Sequence, residues 1–318
     1  MKTTATAGAA VWAGMAVLAR MGIARVGAIE LLFLFAPLVI VPLGMELGRA
    51  VGGTGSLEGL ARRLQPLGAA LAVVAMLLPP GRRAGSAALG WFLVCLLMAG
   101  AGIVDLVRSL WTDAGSDPFG SRPGEGRATQ VTMGVARVDL AVGGVWLVAS
   151  RLGMRLMGIQ EPIGLLTAVH FHFAGFATAM IAATTLQFAG RRGEQRWLKR
   201  VVLIVAGLPL LVAVGFVISP ALKMTAALLF SGSVAGLAFA VRACGRKAED
   251  GMARVLLQVA AGAVFAGMVL SAGYAVADYM GSDALTIPQM ARTHGLLNAM
   301  GFCLSGLLGW VMETSGGE

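Results

Sequence analysis

Apolar runs of roughly 20 residues, each closed by charges or by Pro and Gly, recur from one end of this chain to the other. That recurrence leaves few folds open. A run of this length crosses the hydrocarbon core of a bilayer as a helix, whereas barrel strands show short alternating segments. Ten such runs are legible, at about residues 7 to 19, 28 to 45, 66 to 79, 86 to 107, 131 to 149, 162 to 189, 201 to 218, 221 to 241, 255 to 278 and 291 to 312. The first and third are short, so the expectation is an all-α polytopic transmembrane bundle of about 9–10 spans. Residues 1–318 read as a single membrane-embedded helical domain. With 57% hydrophobic and 13% charged residues, the composition excludes a soluble domain of this length.

Between the runs, the polar segments set an orientation. If both termini face the cytoplasm, 17 of the 25 Lys and Arg fall on the inner side and eight on the outer. Loops of this length obey the positive-inside rule, so the chain is expected in the cytoplasmic (inner) membrane, multi-pass, with both termini inside. The net charge of +9 is therefore topological, and no nucleic-acid partner is expected. Residues 112–127, rich in Gly, Pro, Ser and mixed charge, read as a flexible cytoplasmic loop. Only the Ser219-Pro220 corner separates the runs before and after it, which predicts a tight helical hairpin. Residues 7 to 19 read as a first short span, with a cleaved signal as the alternative.

Candidate chemistry lies in the ionisable groups inside the runs. The stretch Pro162 to Leu186 holds His170 and His172, and the third histidine, His294, opens the last run with Asn298 one turn later. An ionisable group in hydrocarbon costs roughly 2.5 to 3.5 kcal/mol, so such residues mark sites by default. Glu30 near the start of the second run, and Tyr274 with Asp278 near the end of the ninth, fall in the same outer half of the bilayer. Glu30, one of the two paired histidines and His294 are therefore expected to approach one another beside Tyr274 and Asp278. His170 and His172 point about 200° apart on a regular helix, so only one can join, and His170 is expected to be the central one. Glu46, Asp105, Arg108, Arg137 and Asp139 read instead as cytoplasmic-end residues, snorkelling or paired locally. Cys95, Cys244 and Cys303 lack any metal or disulfide spacing, and the 17 Met read as gap fillers.

A faint internal echo relates His172-Phe173-Ala174-Gly175-Phe176 to Asn298-Ala299-Met300-Gly301-Phe302. The motifs Ile29-Glu30-Leu31-Leu32 running to Ala36-Pro37-Leu38, His170 to Phe176, and Thr293 to Phe302 resemble the bacterial YndJ-like family of integral membrane proteins, across most of the runs. The resemblance implies a polytopic membrane fold and singles out Glu30, His170, His172, His294 and Asn298. It also brings a transporter label. Locally, the His-Phe-His triplet looks like the helix of haem-copper oxidase subunit I that ligates a haem from each face, although three histidines are too few for two haems and copper.

Without GxGxxG, CxxCH or P-loop motifs, the buried Glu and His set points to non-redox acid/base chemistry. The expected activity is isomerisation, cyclisation or hydrolysis of a hydrophobic small molecule, such as a lipid, isoprenoid or polyketide, with Glu30, His170, His172, His294, Asn298, Tyr274 and Asp278 as site residues. No cofactor is expected on this reading. The alternatives are a proton-coupled transporter of a small molecule, and a membrane protein binding zinc or a single haem through His170, His172, His294 and Glu30.

Overall fold

The structure is a computed structural model that describes residues 2–52, 55–111, 125–190, 196–282 and 284–315. Most of the described residues are helical, with no strands among them. After α1 (Lys2–Arg20) come, among the described residues, nine helices long and apolar enough to cross a membrane. These are α2 (Ala28–Gly52), α3 (Ser56–Leu77), α4 (Arg82–Trp111), α5 (Gly126–Leu152), α6 (Ile163–Gly190), α7 (Arg196–Ile218), α8 (Pro220–Gly245), α9 (Gly251–Tyr279) and α10 (Ile287–Ser315). The short first run is thus helical but is not one of the nine. Of the expected loop 112–127, residues 112–124 lie outside the described residues, and Glu125 to Arg127 already belong to a helix.

Two compact units divide the chain. Unit 1 comprises Met1–Ile103 and Arg137–Ala177; unit 2 comprises Val104–Ala136 and Thr178–Glu318. In unit 1, α1 packs along α2: the Trp12 indole N–H donates to the Leu31 carbonyl at 2.8 Å and its ring meets Phe35 edge-on at 5.1 Å. In unit 2, the Ser219-Pro220 corner makes the expected hairpin, with Ser219 accepting the Leu222 N–H and Pro220 opening α8.

Among the described residues, three helices loosen into π-helical turns, and side chains explain where. In α2 the π segment is Ala36–Ile40, where the Val41 N–H reaches back five residues to the Ala36 carbonyl. The donor that would follow in this register is at position 42, a proline without an N–H. The Pro37 carbonyl is taken instead by Gln65 Nε2 of α3, at 2.7 Å. In α6 the π segment is Phe171–Ala177, and both histidines use Nδ1–H on the carbonyl four residues back: His170 on Leu166 and His172 on Ala168, each at 2.7 Å. Side chains that compete for these carbonyls displace main-chain donors and widen the turn. In α10 the π segments are Ala291–Gly295 and Leu297–Leu304, and Asn298 donates to the His294 carbonyl at 2.7 Å in the same manner.

Candidate functional site

Asp139 is the central residue of α5, so about 20 Å of helix lies on either side of it. It is fully buried, and neither carboxyl oxygen has a hydrogen-bond partner among the described residues. Contrary to the expectation of a helix end for Arg137 and Asp139, the helix begins near residue 125 and both side chains are interior. Two positions apart, they project to opposite sides of α5. Arg137 turns to α3, where it meets Glu58 at 2.8 Å, while Asp139 turns to the π segment of α6. A Cβ added at Gly175 would lie 2.8 Å from both Cβ and Oδ2 of Asp139, so only glycine lets the carboxyl sit against α6 there.

One turn along the same face, Gly143 admits the His172 ring; a Cβ there would be 2.6 Å from Nδ1. His172 is fully buried and both its ring nitrogens are engaged: Nδ1–H donates to Ala168, and Nε2 accepts the Trp91 indole N–H at 2.9 Å. This fixes the neutral tautomer, and Phe33 closes the ring edge-on at 5.1 Å. His170 is exposed. The two histidines therefore diverge as expected, but the inner one is His172, because α6 packs that face on α4 and α5.

Beside Arg137 runs an alternating chain of charges. Glu58 also meets Arg62 at 3.4 Å, Arg62 meets Glu46 at 3.5 Å, and Glu46 meets Arg49 at 2.9 Å. Arg62 donates to the Met45 carbonyl as well. Glu58, Arg62 and Gln65 lie outside the apolar run that starts at residue 66, yet the helix extends back to Ser56 and includes them. Their i, i+4, i+7 spacing, one polar stripe on a helix, was the available signal. Nothing local distinguishes Trp91 or Gly143.

Of the other expected site residues, Glu30 folds back over the first turn of α2, where Oε2 would be 2.7 Å from a Cβ on Gly27; a carboxylate there complements the helix dipole. Asp278 is paired with Lys223 at 2.7 Å, and Tyr274 is half-buried one turn away. His294 Nδ1–H donates to the Gly267 carbonyl at 2.9 Å, with Asn298 against it. Among the described residues, no three His, Cys, Asp or Glu side chains come together as a metal would require.

The faint sequence echo corresponds to a repeated packing element. In unit 2, Gly301 of α10 faces Ala263 of α9, with an added Cβ 2.5 Å from the alanine methyl, and Gly267, one turn on, faces Asn298 at 2.8 Å. Asn298, Gly301 and the buried Phe302 thus repeat His172, Gly175 and Phe176, while Ala263 and Gly267 repeat Asp139 and Gly143. The offsets are constant to two residues, 126 on the π-helical side and 124 on its neighbour.

The sequence pattern of the family described as YndJ-like protein matches residues 31–302, a range that holds both copies of this element. The chain belongs to the YndJ-like family. Over 190 residues, 59% of the chain, it is 29% identical to a Bacillus subtilis (strain 168) protein described as an uncharacterized membrane protein YndJ. That alignment spans about a third of the relative's own length (33%). No solved structure matches the chain. Family membership and nine long apolar helices among the described residues establish a multi-pass membrane protein in a lipid bilayer.

Proposed function

We propose that the chain is a proton-coupled membrane carrier of a small molecule, in which Asp139 gains and loses the proton. One observation carries this reading: a mid-helix carboxyl, fully buried, whose two oxygens have no partner among the described residues. A charged carboxylate held there would be expensive, so the neutral acid is the resting form and ionisation has to be driven. The π-helical turn of α6 supports the reading further. Broken or widened helices lining a polar interior give transporters their movable elements, and Asp139 lies against one. His172, neutral and held at both nitrogens, fits a positioning role better than a proton-transfer one.

In the bilayer we place the basic-rich ends on the cytoplasmic side of the inner membrane, following the distribution of Lys and Arg, and with α1 crossing as a tenth helix both termini lie on that side.

The test is reaction with a hydrophobic carbodiimide, which modifies buried protonated carboxyls. Mass spectrometry should find the adduct on Asp139 and not on Glu58, with labelling that declines as the medium becomes alkaline. Asp139→Asn should lose the adduct, express normally and give no substrate-induced currents in proteoliposomes screened with a small-molecule panel. Absence of labelling at Asp139 at every pH would sink the proposal.

A second reading is a membrane enzyme performing non-redox acid/base chemistry on a hydrophobic molecule. It is favoured by His294, which is half-buried and oriented by the Gly267 carbonyl with Asn298 beside it. Turnover by detergent-purified protein, without any gradient, would select this reading over the carrier.

A further inference from the structure

We propose that the charged end of unit 2, where α7 begins, α8 ends and α9 begins, is a binding surface for the headgroup of an anionic phospholipid. Antiparallel packing brings these three helix ends to one level. Val201 lies beside Gly236, with an added Cβ at 3.8 Å, Gln258 donates to the Arg242 carbonyl at 3.0 Å, and Leu257 packs on Gly245. Arg196, Arg200, Arg242, Arg246 and Arg254 are exposed there, and Lys199 is half-buried.

Basic residues outnumber the acidic ones at this level, where Glu249 is exposed and two other carboxylates are engaged by backbone donors. Glu313 accepts the backbone N–H groups of Glu249 and Asp250, and Asp250 caps α9 through the Ala253 N–H at 2.7 Å. The far end of α8 and α9 is compensated by contrast, with Lys223 on Asp278.

Exposed apolar side chains adjoin the charges. Trp197 (44% exposed) and Val255 (56%) present apolar side chains among the basic residues, and Phe239 (61%) does so one turn inward of Arg242. A soluble polyanion has nothing to place against them. A phosphate joined to acyl chains fits both levels, and tryptophan at this height belongs to the headgroup boundary.

The experiment uses the full chain in detergent, with thermal unfolding and native mass spectrometry as readouts. Phosphatidylglycerol should raise the unfolding temperature and appear as retained adducts, while phosphatidylcholine with the same acyl chains should not. Inorganic phosphate at equal phosphorus should leave the temperature unchanged. The triple variant Arg200→Gln/Arg242→Gln/Arg246→Gln should bind on the order of a hundredfold more weakly, since each basic residue near an anionic surface contributes about fivefold. Arg82→Gln/Arg83→Gln, at a helix start in unit 1, should bind as the unchanged protein does. Equal stabilisation by both lipids, full stabilisation by inorganic phosphate, or retained binding in the triple variant would each overturn the assignment. None of these outcomes depends on Asp139, so the surface and the proposed carrier activity stand or fall separately.

Discussion

The same packing element occurs once in each unit, and the two copies differ where chemistry would be done. Both set a π-helical turn, opened by a side chain bonding four residues back, against a neighbouring helix through a pair of close-approach glycines. In unit 1 the place opposite Gly175 holds Asp139; in unit 2 the place opposite Gly301 holds Ala263. The backbone arrangement is thus independent of the carboxylate. A widened helix is a scaffold, and what it presents is decided by the residue its neighbour supplies.

The surroundings differ in the same sense. α5 carries Arg137 into a buried ion chain with Glu58, whereas at its counterpart positions α9 carries alanines. Unit 1 therefore holds more polar energy in its interior, and variants should expose this. The largest effect is expected from Glu58→Ala, which removes the carboxylate that Arg137 meets at 2.8 Å; breaking a buried pair typically costs about 3–5 kcal/mol, read as a fall in unfolding temperature in detergent. Next comes Ala263→Asp, which equips the second copy with a carboxyl of its own. It should cost up to roughly 2.5–3.5 kcal/mol, and carbodiimide labelling at 263 would show that the scaffold alone suffices to make a protonated site. If the variant instead unfolds no more readily than the unchanged protein, the two copies are not equivalent in their surroundings.

Smaller effects sharpen the comparison. Gly175→Ala and Gly301→Ala should each cost about 1–3 kcal/mol by forcing helices apart. Only the first should also change the rate of carbodiimide labelling at Asp139, which peptide mass spectrometry would resolve. Smallest is Trp91→Phe, which leaves His172 Nε2 without its donor and should cost about 1–2 kcal/mol in thermal unfolding. His172→Gln, which can still accept from Trp91, should recover part of what His172→Phe loses.

The sequence by itself determined the architecture and the family. Runs of about 20 apolar residues have no other way to satisfy their backbone groups in a bilayer, so the helical class, the Ser219-Pro220 hairpin and most spans followed from periodicity. The motifs around Glu30, His170 and Thr293 carried the family. The echo between residues 172 and 298 was legible as well, because glycine, phenylalanine and a carbonyl-bonding side chain are local requirements of the widened turn. Only the tertiary structure decided what each polar residue meets. His170 and His172 are equal in sequence, and packing against Trp91 and Gly143 separates them into an exposed and a buried ring. Arg137 and Asp139 look like a local pair, yet helix geometry sends one to Glu58 and leaves the other with no partner among the described residues. Spacing along a chain gives direction around one helix; the partner comes from another helix, whose rotation is set by the summed packing of the unit.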